Sequence, residues 1–87
     1  MYYLEWNEHS IKGLDGFDSC VVLFTEVSAT GIVQKELGFD SQGNECHRFP
    51  SETNKRGIFD NQLVDVTRLQ SDLSKESFID MWDKVSL

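Results

Sequence analysis

Residues 20–50 read CVVLFTEVSATGIVQKELGFDSQGNECHRFP, and this segment predicts three antiparallel strands in a β-meander. The strands are predicted at residues 20–27, 32–39 and 44–49. They are rich in β-branched and aromatic side chains, which pack well on a pleated sheet. Residues 28–31 and 40–43 supply the turns, and each turn ends in a glycine that can take a positive φ. Pro50 ends the third strand because it lacks the N–H that a sheet uses.

The alternation of side chains predicts where each strand lies in the sheet. Residues 20–27 are apolar on both faces, so we expect a central strand that is covered on both sides. One face of the next strand is expected to be partly solvated, and it consists of Ile32, Gln34, Glu36 and Gly38. Gly38 predicts a bulge or a close approach. His47 is expected as a polar residue on the outer face, and its neighbour Cys46 points the other way, which argues against a thiolate–imidazole pair.

The segments on either side of the meander complete an α+β fold. Residues 2–6 predict a first strand, residues 7–19 a loop with a short helical turn, and residues 63–69 a last short strand or a turn. Ser74 is a candidate N-cap for a C-terminal helix. The apolar stripe of that helix is predicted to be Phe78, Ile79, Trp82 and Val85, with Met81 beside it. We therefore predict an antiparallel β-meander sheet of about four to five strands packed against a C-terminal α-helix, in a single domain of residues 1–87.

The two cysteines and the N-terminus predict a cytoplasmic protein. Cys20 and Cys46 occur without a secretory signal in the sequence, so we expect free thiols rather than a disulfide. No apolar run approaches the ~20 residues that span a bilayer. His9 and His47 are not spaced with the cysteines as zinc ligands are, so no metal site is expected.

Charge limits the classes of partner. The chain has 15 acidic and eight basic residues and a net charge of −7. Such a surface repels phosphates, so we expect neither nucleic-acid nor membrane binding, and it favours a basic protein partner. The sequence has no glycine-rich phosphate loop, nucleophile elbow or calcium loop, and carboxylates so numerous form pairs by chance. We therefore predict no enzymatic activity and no cofactor. An exposed sheet edge allows a monomer or a weak homodimer.

Several segments together resemble one family of small bacterial proteins. The family pattern is E…G…R-E-I-G-F-D…G…H…P-S…G-x-F-D…S-x-E-x-F…W. The matching segments here are Glu26, residues 31–40, Gly43, residues 47–51, residues 57–60, residues 74–78 and Trp82. Lys35 stands where the pattern often has Arg. Members of the family look like immunity proteins encoded beside secreted polymorphic toxins, including those of contact-dependent growth inhibition.

The resemblance implies a protein that neutralises a cognate toxin. Many such toxins are basic nucleases, and an acidic immunity protein can occlude the surface on which the toxin holds its polyanionic substrate. Exposed acids and aromatics on loops are the best candidates for toxin contacts. The predicted partner-binding residues are Glu8, Asp15, Phe17, Asp18, Asp40, Glu45 and Asp60. The alternative is a small intracellular protein-interaction or regulatory module with a different partner.

Overall fold

The computed structural model describes residues 1–7, 20–51, 63–64 and 73–84. Within these residues lie the strands β1 (Tyr2–Asn7), β2 (Val22–Val27), β3 (Val33–Phe39) and β4 (Glu45–Phe49), and the helix α1 (Lys75–Lys84). The strands form one antiparallel sheet in the order β1-β2-β3-β4. The predicted α+β architecture, an antiparallel meander with a C-terminal helix, is confirmed.

Both hairpin turns use the glycines that the sequence predicts. Gly31 has a φ of 93° and Gly43 a φ of 82°, in the region that glycine enters without steric cost. In the first turn the backbone N–H of Ser28 donates to the carbonyl oxygen of Ile32 at 2.8 Å. The N–H of Ile32 donates to Oγ of Ser28 at 3.0 Å. The turn satisfies its own polar groups, and this fixes the register of β2 on β3.

Gly38 is both a bulge and a close-approach site. The register of β3 on β4 shifts between Gly38 and Phe39. A Cβ atom at Gly38 would lie 2.9 Å from Sγ of Cys20 and 3.2 Å from Cβ of His47. The predicted role of this glycine is confirmed, since only a residue without a side chain leaves room for both neighbours.

The sheet has two covered faces, and β2 is central to both. Residues opposite each other in antiparallel strands share a face. On the face that α1 covers, Leu37 is fully buried and Phe78 is 1% exposed, and the ring centroids of Tyr3 and Phe78 lie 5.4 Å apart. The other face carries an apolar cluster of Leu4, Cys20, Leu23, Val27 and Val64. The prediction of a central strand is confirmed.

Helix α1 begins at the predicted cap. Oγ of Ser74 accepts a hydrogen bond from the N–H of Ser77 at 3.1 Å, which satisfies one of the donors that a helix start leaves unpaired. The rings of Phe78 and Trp82 stack with centroids 6.0 Å apart. Ile79, expected in the core-facing stripe, is 40% exposed, so its inclusion was wrong. The ridge of Phe78 and Trp82, spaced four residues apart, meets the sheet, and Ile79 is rotated away from it. Val85 lies outside the described residues.

Cys20 and Cys46 form a disulfide, so the prediction of free thiols was wrong. Their Cα atoms are 6.1 Å apart, within the usual range for a bridge. The β3–β4 hairpin brings Cys46 back towards Cys20, two residues before the start of β2, and Gly38 leaves space for Sγ of Cys20. Such bonds persist in oxidising compartments and are rare in the cytosol.

Of the predicted last strand, the described residues show one isolated β-bridge and no strand. Leu63 pairs with Ile32, and the N–H of Val64 donates to the carbonyl oxygen of Gly31 at 2.8 Å. Asn7, predicted as the first residue of a loop at residues 7–19, is instead the last residue of β1. The rest of that loop and residues 65–69 lie outside the described residues. In the part of the chain that is described, no helix is long and apolar enough to cross a membrane.

Candidate partner-binding surface

A groove of about 800 Å³ opens on the helix side of the sheet. Its lining residues are Val22, Phe24, Phe39, Asp40, Ser41, Gly43 and Met81. We call it the Met81 groove. Its apolar side chains come from β2, β3 and α1, and its polar groups come from the turn between β3 and β4. A concave apolar surface with a few polar groups at one end is typical of binding sites.

The sheet register builds the apolar walls of the Met81 groove. Val22 lies opposite Phe39, and Phe24 shares their face because side chains alternate along a strand. The rings of Phe24 and Phe39 meet edge to face, with centroids 5.9 Å apart and an interplanar angle of 69°. Met81 closes the groove from α1 with a flexible thioether that adapts to irregular shapes. All four apolar side chains are only half-buried, so they offer apolar area to a ligand.

Asp40 stands at the polar end of the Met81 groove. Its Oδ1 atom accepts hydrogen bonds from the backbone N–H groups of Gln42 and Asn44, both at 2.9 Å. The N–H of Gly43 donates to the carbonyl oxygen of Asp40 at 3.1 Å. These bonds hold the carboxylate in one position, so its negative charge is fixed at the rim rather than carried on a mobile side chain.

A second cluster fastens α1 to the sheet through Trp82. The guanidinium of Arg48 lies 4.2 Å from the centroid of the Trp82 ring, and its Nη2 atom donates to the carbonyl oxygen of Trp82 at 2.8 Å. The ammonium of Lys35 lies 5.0 Å from the same ring. Arg48 also bonds Oε1 of Glu45, from Nε at 3.0 Å and from Nη2 at 2.9 Å. Two of the described basic side chains are thereby engaged with the protein's own tryptophan.

The outer surface of α1 is acidic. Glu76, Asp80 and Asp83 are exposed and follow one another at helical spacing along one side of the helix. Lys75 is the one basic side chain of the helix among those described, and it is exposed. These exposed acids and Asp40 place negative charge on the helix side of the sheet, where the Met81 groove opens.

Tyr3 makes a further polar contact on the face of the sheet that α1 covers. Its O–H donates to Oε2 of Glu26 at 2.9 Å, across the β1–β2 pair. Burial, then this hydrogen bond and the charges of Glu26 and Glu76, raise the pKa of Tyr3 above its usual value. The phenol is therefore neutral and remains a donor throughout the physiological range.

The opposite face holds a buried carboxylate–imidazole pair. Nε2 of His47 and Oε1 of Glu36 lie 2.8 Å apart, and the side chains are 11% and 1% exposed. Of the four residues expected on a partly solvated face, Ile32 and Gln34 are exposed, but Glu36 is buried. The expectation that His47 lies on the outer face was wrong. A two-residue diagonal across the β3–β4 hairpin brings Glu36 and His47 together. Such a pair can transfer protons in enzymes, but burial keeps Glu36 from a substrate. No group of three metal-ligating side chains occurs in the described part of the chain.

The structure places two of the predicted partner-binding residues. Asp40 is at the rim of the Met81 groove, and Glu45 is paired with Arg48. The other five lie outside the described residues: Glu8, Asp15, Phe17, Asp18 and Asp60. The apolar walls of the groove were not among the predicted residues. The apolar side chains of Val22 and Phe24, on the face of β2 that lines the groove, were a signal for them.

Comparison of the chain with protein-family models, with curated proteins and with solved structures finds no match.

Proposed function

We propose that the chain is an immunity protein that binds a cognate, basic, nuclease-type toxin and occludes its active or substrate-binding surface. The observation that carries the proposal is the acidic surface: a net charge of −7, with the acids of α1 exposed. The resemblance to immunity proteins described above supports the same function.

The proposed mechanism is competition for a polyanion site. A nuclease must attract phosphates, so its substrate surface is positive. The acids of α1 and Asp40 present carboxylates that such a surface attracts, and the attraction speeds the encounter. The bound chain then covers the residues that would hold nucleic acid, and it needs no chemistry of its own.

The proposed site of action is the cytoplasm, where the nucleic acids of the producing cell need protection. Because reducing thiols there keep cysteines reduced, this proposal requires the chain to work with the Cys20–Cys46 bond of the folded structure opened. Alkylation of intact cells, followed by mass analysis of the chain, tests this part: reduced Cys20 and Cys46 in the working protein agree with it, and a bridged pair places the protein in an oxidising compartment.

The experiment that tests the function uses the protein encoded beside this chain. That protein is expressed alone and with the chain, and growth and nucleic-acid integrity are measured. We expect toxicity alone, rescue by the chain and a one-to-one complex that abolishes nuclease activity in vitro. Double substitution of Glu76→Gln and Asp80→Asn should weaken the rescue, while Lys75→Gln, which removes a positive charge from the same helix, should not. Absence of a complex, or an acidic partner, would refute the proposal.

A further inference from the structure

We infer that the Met81 groove receives an aromatic or long apolar side chain of the basic partner, flanked in the partner's sequence by lysine or arginine. This inference rests on the proposed function and names the chemistry of the docking contact. In protein interfaces a few buried apolar or aromatic anchors supply most of the binding free energy, while charges at the rim supply orientation and rate. The groove has the form of the pocket that such an anchor fills.

The walls of the groove determine the apolar part of the ligand. Val22, Phe24, Phe39 and Met81 are half-buried and leave apolar area uncovered around a volume of about 800 Å³. The edge-to-face pair of Phe24 and Phe39 offers ring edges and faces that favour a third aromatic ring. Met81 adapts to the shape of what enters, and its sulfur contacts aromatic rings favourably.

Charge determines the flanking residues and the class of occupant. The carboxylate of Asp40 is fixed at the rim by two backbone N–H groups, so a partner's ammonium or guanidinium finds it already oriented. A second copy of the chain would bring another net charge of −7 to the same surface, and two such fields repel. Anionic lipid and nucleic acid are disfavoured for the same reason. A basic protein segment with an apolar anchor matches both the apolar walls and the acidic rim of the groove.

The test needs a probe that does not depend on the toxin. The peptide acetyl-Lys-Lys-Trp-Lys-Lys-amide carries the anchor and the charges, and its control has Ala in place of Trp. The chain has two methionines, so methyl spectra of methionine-labelled protein give one signal for Met81 in the groove and one for Met1, which is 66% exposed, as an internal reference. We expect the tryptophan peptide to shift Met81 alone. Equal shifts of Met1 and Met81, or equal effects of both peptides, would overturn the inference.

Two variants extend the test to the whole partner. Ser41 is exposed and lines the groove, so Ser41→Trp places a bulky side chain at the groove without altering the core. Ala29 is exposed in the turn between β2 and β3, at the opposite end of β3 from Ser41. Ala29→Trp is therefore the matched control. We expect Ser41→Trp to weaken binding of the protein encoded beside the chain by about thirtyfold or more, as loss of an anchor does, and Ala29→Trp to leave it unchanged.

The outcomes separate the inference from the proposed function. If the neighbouring protein binds Ser41→Trp as tightly as it binds the wild type, the groove is not the docking pocket, and the immunity function stands. If the neighbouring protein does not bind the wild type at all, the proposed function fails. In that case the peptide experiment alone tests the groove. Selective shifts of the Met81 signal support an anchor site for basic segments, and their absence refutes it.

Discussion

Replacement of Arg48 by methionine should loosen α1 from the sheet. The substitution keeps an apolar stem of similar length and removes the guanidinium that lies 4.2 Å from the centroid of the Trp82 ring. It also removes the hydrogen bond of 2.8 Å to the carbonyl oxygen of Trp82. Since α1 carries Met81, one wall of the Met81 groove depends on this attachment.

The expected loss follows from the contacts that Arg48 makes. A hydrogen bond from a charged donor contributes about 1.5–3 kcal/mol, and a cation over an aromatic ring about 0.5–2 kcal/mol. The pair with Glu45 is partly exposed, with side chains 16% and 25% accessible, and adds about 0–1 kcal/mol. Because such terms overlap, we expect Arg48→Met to lower the free energy of unfolding by about 2–4 kcal/mol.

Urea unfolding followed by tryptophan fluorescence and circular dichroism measures this loss. The matched control is Lys35→Met, which removes the other cation over the same ring, at 5.0 Å, and should cost about 1 kcal/mol or less. Hydrogen exchange should show faster opening of α1 in Arg48→Met while β2 stays protected. A loss below about 0.5 kcal/mol, the scatter of ordinary surface substitutions, or unchanged exchange in α1, would show that Arg48 does not fasten the helix.

Three further predictions concern the disulfide, the packing at Gly38 and the ionisation of Tyr3. The Cys20–Cys46 bond spans 26 residues. In the chain-entropy description, replacing both cysteines by alanine should therefore lower the free energy of unfolding by about 3.5 kcal/mol. Denaturant titration against the oxidised wild type measures this loss. Gly38→Ala should cost about 1–3 kcal/mol by overpacking, and much of that cost should vanish in the cysteine-free background, because the nearest obstructing atom is Sγ of Cys20. An unchanged cost would point instead to Cβ of His47, which would lie 3.2 Å from the added Cβ atom. Because the pKa of Tyr3 is raised in the folded state, first by burial and then by Glu26, its stabilising contribution is complete below its unfolded pKa of about 10 and is lost as the pH rises through the folded value. Stability should fall in that alkaline window, and Tyr3→Phe should flatten the fall.

The meander was predictable because local signals fix it. Gly31 and Gly43 take the positive φ that hairpin turns need, and Pro50 directly follows the last residue of β4. Ser74 marked the start of α1, since capping depends on residues within one helical turn. Each of these features is set by residues close together in the sequence.

The features that the sequence did not reveal depend on contacts between distant residues. The cysteine bridge and the Glu36–His47 pair both require the exact offset of β4 on β3, which includes the shift at Gly38. A change of one residue in that register would turn His47 to the other face. The Met81 groove depends in addition on how α1 crosses the sheet, which the ridge of Phe78 and Trp82 decides through tertiary packing.

The association rate of this chain with the protein encoded beside it tests the central claim, electrostatic capture of a basic partner, most directly. The rate is measured by stopped-flow fluorescence at ionic strengths of about 0.03 M and about 0.3 M, which change the screening length about threefold. We predict a rate that falls steeply with salt, and a smaller salt dependence for the Glu76→Gln, Asp80→Asn double variant. A rate independent of salt, or one that the double variant leaves unchanged, would contradict the account.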